Sequence, residues 1–215
     1  WGLPWIATGT MQGRFTKPIY DGETVTVTAT QPTSDALEME LLNEAGELCA
    51  TGRATLPSEP PLAPSADGWP PVGLPPGPTE RPAAAPETLV PGTAFALPEH
   101  GFHAFRANSY LSEIREALPV YRDERVAHPG WLLRDANYVL AQNVRLGPWM
   151  HVESEAQHFA AVDDGARVET RAVVTKEWEH KGHRFVELDV ALLAGGRVAQ
   201  RIRHTAIYRP RQVAT

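Results

Sequence analysis

The longest periodic run of the chain lies in its second half. Between His128 and Val144 the apolar residues Leu132, Leu133, Ala136, Val139, Leu140 and Val144 recur at helical spacing and form one broad stripe. Arg134 and Asp135 are the only charged residues in this run, so the helix predicted over 130–144 is mostly enclosed. Three segments with strand character follow: Arg167–Lys176, Arg184–Leu193 and Arg197–Tyr208. An enclosed helix followed by antiparallel strands predicts a sheet wrapped around that helix. Upstream, Leu111, Ile114 and Leu118 share one face of an amphipathic helix over 107–118, which Pro119 stops.

Residues 1–56 read as β. Val25, Val27 and Ala29 alternate with Thr24, Thr26 and Thr28, and Leu37, Met39 and Leu41 alternate with Glu38 and Glu40. Asn43-Glu-Ala-Gly-Glu47 is a hairpin turn with Gly46 at the position that needs a positive φ, and Leu48–Leu56 returns. The span from Pro57 to Pro98 has no such period and holds 13 of the 20 prolines. It predicts an extended surface crossover with few buried side chains.

The halves repeat one another. Pro4-Trp5-Ile6 precedes Phe15 as Pro148-Trp149-Met150 precedes Phe159, at an offset of 144 residues. Asp21-Gly22 then pairs with Asp164-Gly165, Gly46-Glu-Leu48 with Gly196-Arg-Val198, and Ala54-Thr55 with His204-Thr205. Ordered matches at a near-constant offset indicate a duplicated unit. The second copy has a helix before its Pro-Trp pair, whereas three residues precede the first pair. The division expected is a first unit over 1–57, a crossover over 58–98 and a second unit over 99–215.

Composition narrows the class. The 215 residues carry a net charge of −6, with no basic cluster that would mark a nucleic-acid surface. No apolar run reaches the roughly 20 residues that cross a bilayer. Cys49 is the single cysteine, which excludes a disulfide frame and makes a reducing, cytoplasmic setting the expectation. Histidines and carboxylates nowhere show metal-ligand spacing, so no zinc is expected, and no glycine-rich phosphate loop is present.

Three pieces carry a resemblance. Arg14-Phe-Thr-Lys-Pro-Ile-Tyr-Asp-Gly-Glu-Thr-Val25 is similar to the "F-x-x-P-v-x-x-G-D-x-v" strand of MaoC-like hydratases and dehydratases. Asn43–Leu56 is similar to the hairpin that follows in that family, and Val126-Ala-His-Pro-Gly-Trp-Leu-Leu133 resembles the "v-x-H-G-x-l" start of the hotdog helix. The chain therefore looks like a double hotdog protein. The fold implied is α+β, with antiparallel sheets each wrapped around a central helix, the first unit lacking its helix here. The function implied is that of a hydratase or dehydratase acting on an acyl thioester, a lyase. A hotdog acyl-CoA thioesterase and a non-catalytic acyl-binding or scaffolding subunit are the alternatives. One departure stands out: the family's "D-x-N-P-x-H" element is missing from the matching region, Ser109–Arg125, which holds no histidine.

Thioester chemistry needs a donor for the oxyanion and a group that moves a proton. The amides of Gly130 and Trp131, which open the helix, are candidate donors and substrate contacts. His128 and His151 are the candidate acid–base groups, and Asn137 the candidate for orienting water. Trp149 and Ser154 are expected beside the substrate, in a narrow, mostly apolar pocket at the helix N-terminus. His180, His183 and His204 read as outward turn or strand positions. No cofactor is expected beyond coenzyme A as part of the substrate. The partners expected are that substrate and either a second copy or another hotdog chain.

Overall fold

The computed structural model describes residues 1–211. Among the described residues, strand and helix periods in the sequence become ten strands in one antiparallel sheet and four α-helices. The first half consists of helix α1 (Leu3–Thr8) and strands β1 (Thr10–Phe15), β2 (Thr26–Thr33), β3 (Ala36–Leu42) and β4 (Leu48–Thr55). The second half begins with short strands β5 (Ala94–Ala96) and β6 (His100–Gly101). Helices α2 (Ala104–Glu113), α3 (Val120–Asp123) and α4 (Pro129–Asn143) follow. Strands β7 (Met150–His158), β8 (Arg167–His180), β9 (His183–Ala194) and β10 (Arg197–Arg209) complete it.

The strand order is β2-β3-β4-β1-β7-β10-β9-β8-β5, with β6 also on β8. The halves meet where β1 runs antiparallel to β7, from Thr10 opposite Gln157 to Arg14 opposite Glu153. Outward from that seam each half has the same connectivity: first strand, fourth, third, second. The duplication is thus carried by topology. Its turn glycines correspond, with φ of 89° at Gly22 and 83° at Gly165, and 74° at Gly46 and 75° at Gly196. The Pro-Trp pairs do not. Pro148-Trp149 leads straight into β7, while Pro4-Trp5 lies inside α1, a helix in a region that reads as β. The proline occupies the first helical turn, and Ile6 anchors the helix beside Leu111, Tyr121 and Val126.

α4 is the axis of the second half. Leu132, Ala136, Val139 and Leu140 pack on Val168, Ala172 and Val174 of β8, Val186, Leu188, Val190 and Leu192 of β9, and Ile202 and Ala206 of β10. The strand residues alternate, so one face of each strand meets the helix. Burial of each of the valine, leucine and isoleucine side chains contributes about 1.5–3 kcal/mol. α2 ends at Glu113, earlier than Pro119 requires, and the chain then passes through Arg115 at φ 55°.

The first half has no such axis. Register places Met11 and Gly13 opposite Ala54 and Gly52, those opposite Leu37 and Met39, and Met39 opposite Ala29. One face of this sheet is therefore apolar, yet β2 is exposed along its whole length. Among the described residues no long helix covers that face.

The proline-rich crossover is less detached than its composition predicts. It has little regular structure, but Trp69 is 3% exposed and Leu89 fully buried. Trp69 packs against Ala191, Leu193 and Val198 and donates its indole N–H to the Asp189 carbonyl at 3.0 Å. Leu89 joins the main core, and Ala94–Ala96 adds the edge strand β5 to β8. Two large apolar side chains and the three residue pairs of β5 with β8 hold a segment whose prolines alone would leave it extended. No helix among the described residues is long and apolar enough to cross a membrane.

Candidate functional site

A groove of about 300 Å³ lies at the seam of the two halves. Its walls are mostly apolar, formed by Trp1 and Trp5, Met11 and Gly13 of β1, Leu37 and Met39 of β3, and Leu133 of α4, with Gln12 and Arg53 also on the lining. Ser154 of β7 also lines it.

Ser154 is buried and bonded on both sides. Its hydroxyl lies 2.8 Å from His151 Nε2 and 3.0 Å from His204 Nδ1. Strand parity alone would turn His151 away from Ser154, three residues on. The register explains why it does not. Thr205 faces Glu153 and Ala206 faces His151, so Val152 is an extra residue on β7. This bulge turns His151 onto the face of Ser154.

The protons can be assigned from hydrogen bonding. His204 is wholly buried and its Nε2 has no partner. A buried N–H without an acceptor is rarer than an unused lone pair, which places the ring proton on Nδ1. His204 Nδ1–H then donates to Ser154 Oγ, and the Ser154 hydroxyl donates to His151 Nε2. Burial, and then the neighbouring His151, hold the His204 imidazole down to about 3. Burial likewise lowers His151, against a backbone hydrogen bond near Glu153 that raises it. Both rings are therefore neutral at pH 7, and His151 Nε2 is in the state that accepts a proton.

The start of α4 is arranged differently from expectation. His128 caps the helix: its Nδ1 accepts from the Gly130 N–H at 2.9 Å, and its Nε2 faces Glu116 at 3.5 Å. The Trp131 N–H is donated to the His128 carbonyl at 2.9 Å. Both candidate oxyanion amides are thus engaged within the cap, and both ring nitrogens of His128 have partners. Tyr110 and Tyr121 close over the ring, and burial pushes the Tyr121 phenol up to about 12. Gly130 makes room for protein rather than ligand, since a Cβ there would meet the Tyr110 hydroxyl at 2.6 Å. The structure does not join His128 to the His151–Ser154 cluster through any hydrogen bond.

The remaining expected residues divide. Asn137 lies one turn beyond Leu133, with its Oδ1 buried and unpartnered. Trp149 is half-buried against the main core. Trp131 faces a second, polar cavity between α2 and α4. His180 and His183 flank the β8–β9 turn as the sequence indicates, whereas His204 is inside.

One group escapes the sequence reading altogether. Asp135, 2% exposed, accepts from His100 Nε2 at 2.7 Å and from the Thr170 hydroxyl at 2.9 Å. These bonds tie β6 and β8 to the middle of α4. An acidic residue in an otherwise apolar helix was the available signal, because a buried carboxylate needs partners.

No family model matches this sequence, and no curated protein matches it. Solved structures do. A MaoC-like dehydratase aligns with a TM-score of 0.63 at 14% identity, over 94% of this chain and 75% of that one. A conserved hypothetical protein of Mycobacterium tuberculosis, described as having a double hotdog fold, aligns with a TM-score of 0.59 at 16% identity, over 94% and 74%. The fold is a double hotdog, similar to these structures. A Lactobacillus plantarum protein assigned as an oleoyl thioesterase also aligns, with a TM-score of 0.54 at 11% identity, over 95% and 76%. Within this double hotdog α4 is the central helix of the second unit, and the groove with Ser154 lies where the two units join. The fold itself hosts more than one reaction, so the chemistry must be argued from the site.

Proposed function

We propose that this double hotdog processes an acyl thioester, of coenzyme A or an acyl carrier, with the acyl chain in the seam groove and proton transfer through Ser154 and His151. The observation that carries the reading is the apolar groove with Ser154 on its wall, hydrogen-bonded to two neutral histidines. Apolar walls suit an acyl chain, and an imidazole held neutral at pH 7 suits a general base.

The reaction we assign is reversible hydration of a 2-enoyl thioester. A water adds to C3 while its proton passes to Ser154 Oγ and the serine proton passes to His151 Nε2. The imidazolium then returns a proton to C2, which restores both side chains. Dehydration is the same path reversed. Thioester hydrolysis is the second reading. It is favoured by the direction of the Ser154–His151 hydrogen bond, the one an activated serine would use. The lone, buried Cys49 fits a reducing compartment.

The test is an assay of the full chain with 2-enoyl-CoA and saturated acyl-CoA substrates of graded length. Loss of enoyl absorbance without thiol release supports hydration, and thiol release supports hydrolysis. Silence towards both, or rates unaffected by His151→Ala, would overturn the catalytic reading and leave an acyl-binding subunit.

A further inference from the structure

The second cavity lies between α2 and α4 and shares no lining residue with the seam groove. It encloses about 360 Å³ and is lined by His103, Arg106, Ser109 and Tyr110, by Glu113, and by Trp131 and Arg134. Its charge is not neutralised internally. The ion pairs of the described residues engage other arginines, and neither Arg106 nor Arg134 takes part in one.

Arg134 is set unusually deep for an unpaired cation. Its guanidinium carbon lies 4.3 Å from the centre of the Trp131 ring, and its Nε is buried with no hydrogen-bond partner. The cation–π contact with the indole restricts where the guanidinium sits, and a guanidinium fork suits a planar or tetrahedral anion. Arg106 comes from α2 on the facing wall, with His103 one turn before it. Glu113 is the one carboxylate on the lining. The first amide at the positive end of α2 is already engaged, because Asp164 Oδ1 accepts from the Ala104 N–H at 2.8 Å. The cationic groups that line the cleft are the side chains of Arg106 and Arg134.

We infer that this cleft binds a phosphate group, held by Arg134 and Arg106 against the Trp131 wall. Resting on the function proposed above, that phosphate belongs to the carrier of the thioester: the phosphorylated pantetheine handle, or the adenosine phosphates of coenzyme A. The volume admits a diphosphate, and the apolar seam groove is left for the acyl chain.

The test is calorimetric titration of the full chain with coenzyme A, phosphopantetheine, adenosine 3′,5′-bisphosphate and pantetheine, repeated on Arg106→Gln/Arg134→Gln. Coenzyme A should bind at least about tenfold more weakly to the double variant, the loss expected for one charge-assisted hydrogen bond. Pantetheine, which has no phosphate, should bind both proteins equally. Displacement of coenzyme A by adenosine 3′,5′-bisphosphate would place the adenosine phosphates in the cleft. Displacement by phosphopantetheine alone would place the handle there. Arg134→Lys keeps the charge and loses the fork, and should fall between. Equal coenzyme A affinity in the wild type and a folded double variant, or no phosphate probe binding the wild type, overturns the inference. The two proposals separate cleanly. Arginine-dependent phosphate binding without turnover sinks only the catalytic reading, while turnover with unchanged KM in the double variant sinks only this one.

Discussion

His204 Nδ1 lies 3.0 Å from Ser154 Oγ across the paired strands β10 and β7, in a site that excludes water from His204 entirely. That bond directs the serine proton towards His151 and leaves His204 as a fixed donor. His151 is the group that changes protonation in the proposed cycle. His151→Ala should lower turnover about 10²–10⁴-fold, the usual worth of a positioned acid–base group. Ser154→Ala should lower it as well, and single-turnover kinetics on both variants would check this. Wild-type rates in the two would remove the cluster from the mechanism.

Acid should weaken the protein through the same histidines. His204 is lowered from 6.5 to about 3, and His158 from 6.5 to about 4, in both cases chiefly by burial. The unfolded chain therefore binds more protons than the folded one below about 6.5. Stability contributed by neutral burial is present above that pH and is lost progressively as pH falls towards the folded values. Thermal midpoints measured between pH 7 and pH 4 should decline. The decline should be shallower in a folded His204→Gln variant. A midpoint independent of pH over that range would contradict the assignment.

Asp135 should matter more to stability than any exposed carboxylate. Truncation to alanine leaves His100 and Thr170 facing a space without an acceptor, at a cost of about 3 kcal/mol. Asp135→Asn retains an acceptor oxygen and should cost less. Urea unfolding of the two variants gives the comparison directly. Equal midpoints for wild type and Asp135→Ala would show that the cluster does not hold β6 and β8 on the helix.

Gly130 and Tyr110 should behave as a coupled pair. A Cβ on Gly130 would stand 2.6 Å from the Tyr110 hydroxyl. Gly130→Ala should therefore destabilise by about 1–3 kcal/mol, as overpacking does. In a Tyr110→Phe background the oxygen is gone, and the same substitution should cost less. A double-mutant cycle measures the difference. Additive effects would show that the helix start yields without involving Tyr110.

Local pattern determined the elements. Period-2 alternation marked strands of the first half, strand character marked three segments of the second, the stripe from Leu132 to Val144 marked α4, and the shared turn glycines marked the duplication. These features were legible because α4 and the strands around it bury one face, and burial imposes its period on the chain, whereas β2 carries the alternation while exposed along its whole length. The same logic missed α1, whose helix is fixed by packing of Ile6 on a distant cluster. It also placed the crossover outside the core, although Trp69 and Leu89 anchor it. The candidate site was legible only in part. His151 and Ser154 could be named from their position after Trp149, but their union required a bulge at Val152, which has no local sequence mark. His204 read as an outward strand residue and proved to be the buried third member, because a strand's parity does not say which face is covered. His128 and Gly130 fitted an oxyanion site in sequence, and only the surrounding Tyr110, Tyr121 and Glu116 made them a helix cap. The period of a segment is set by which face it buries, whereas the partner of a polar side chain is set by what the fold brings across from elsewhere in the chain.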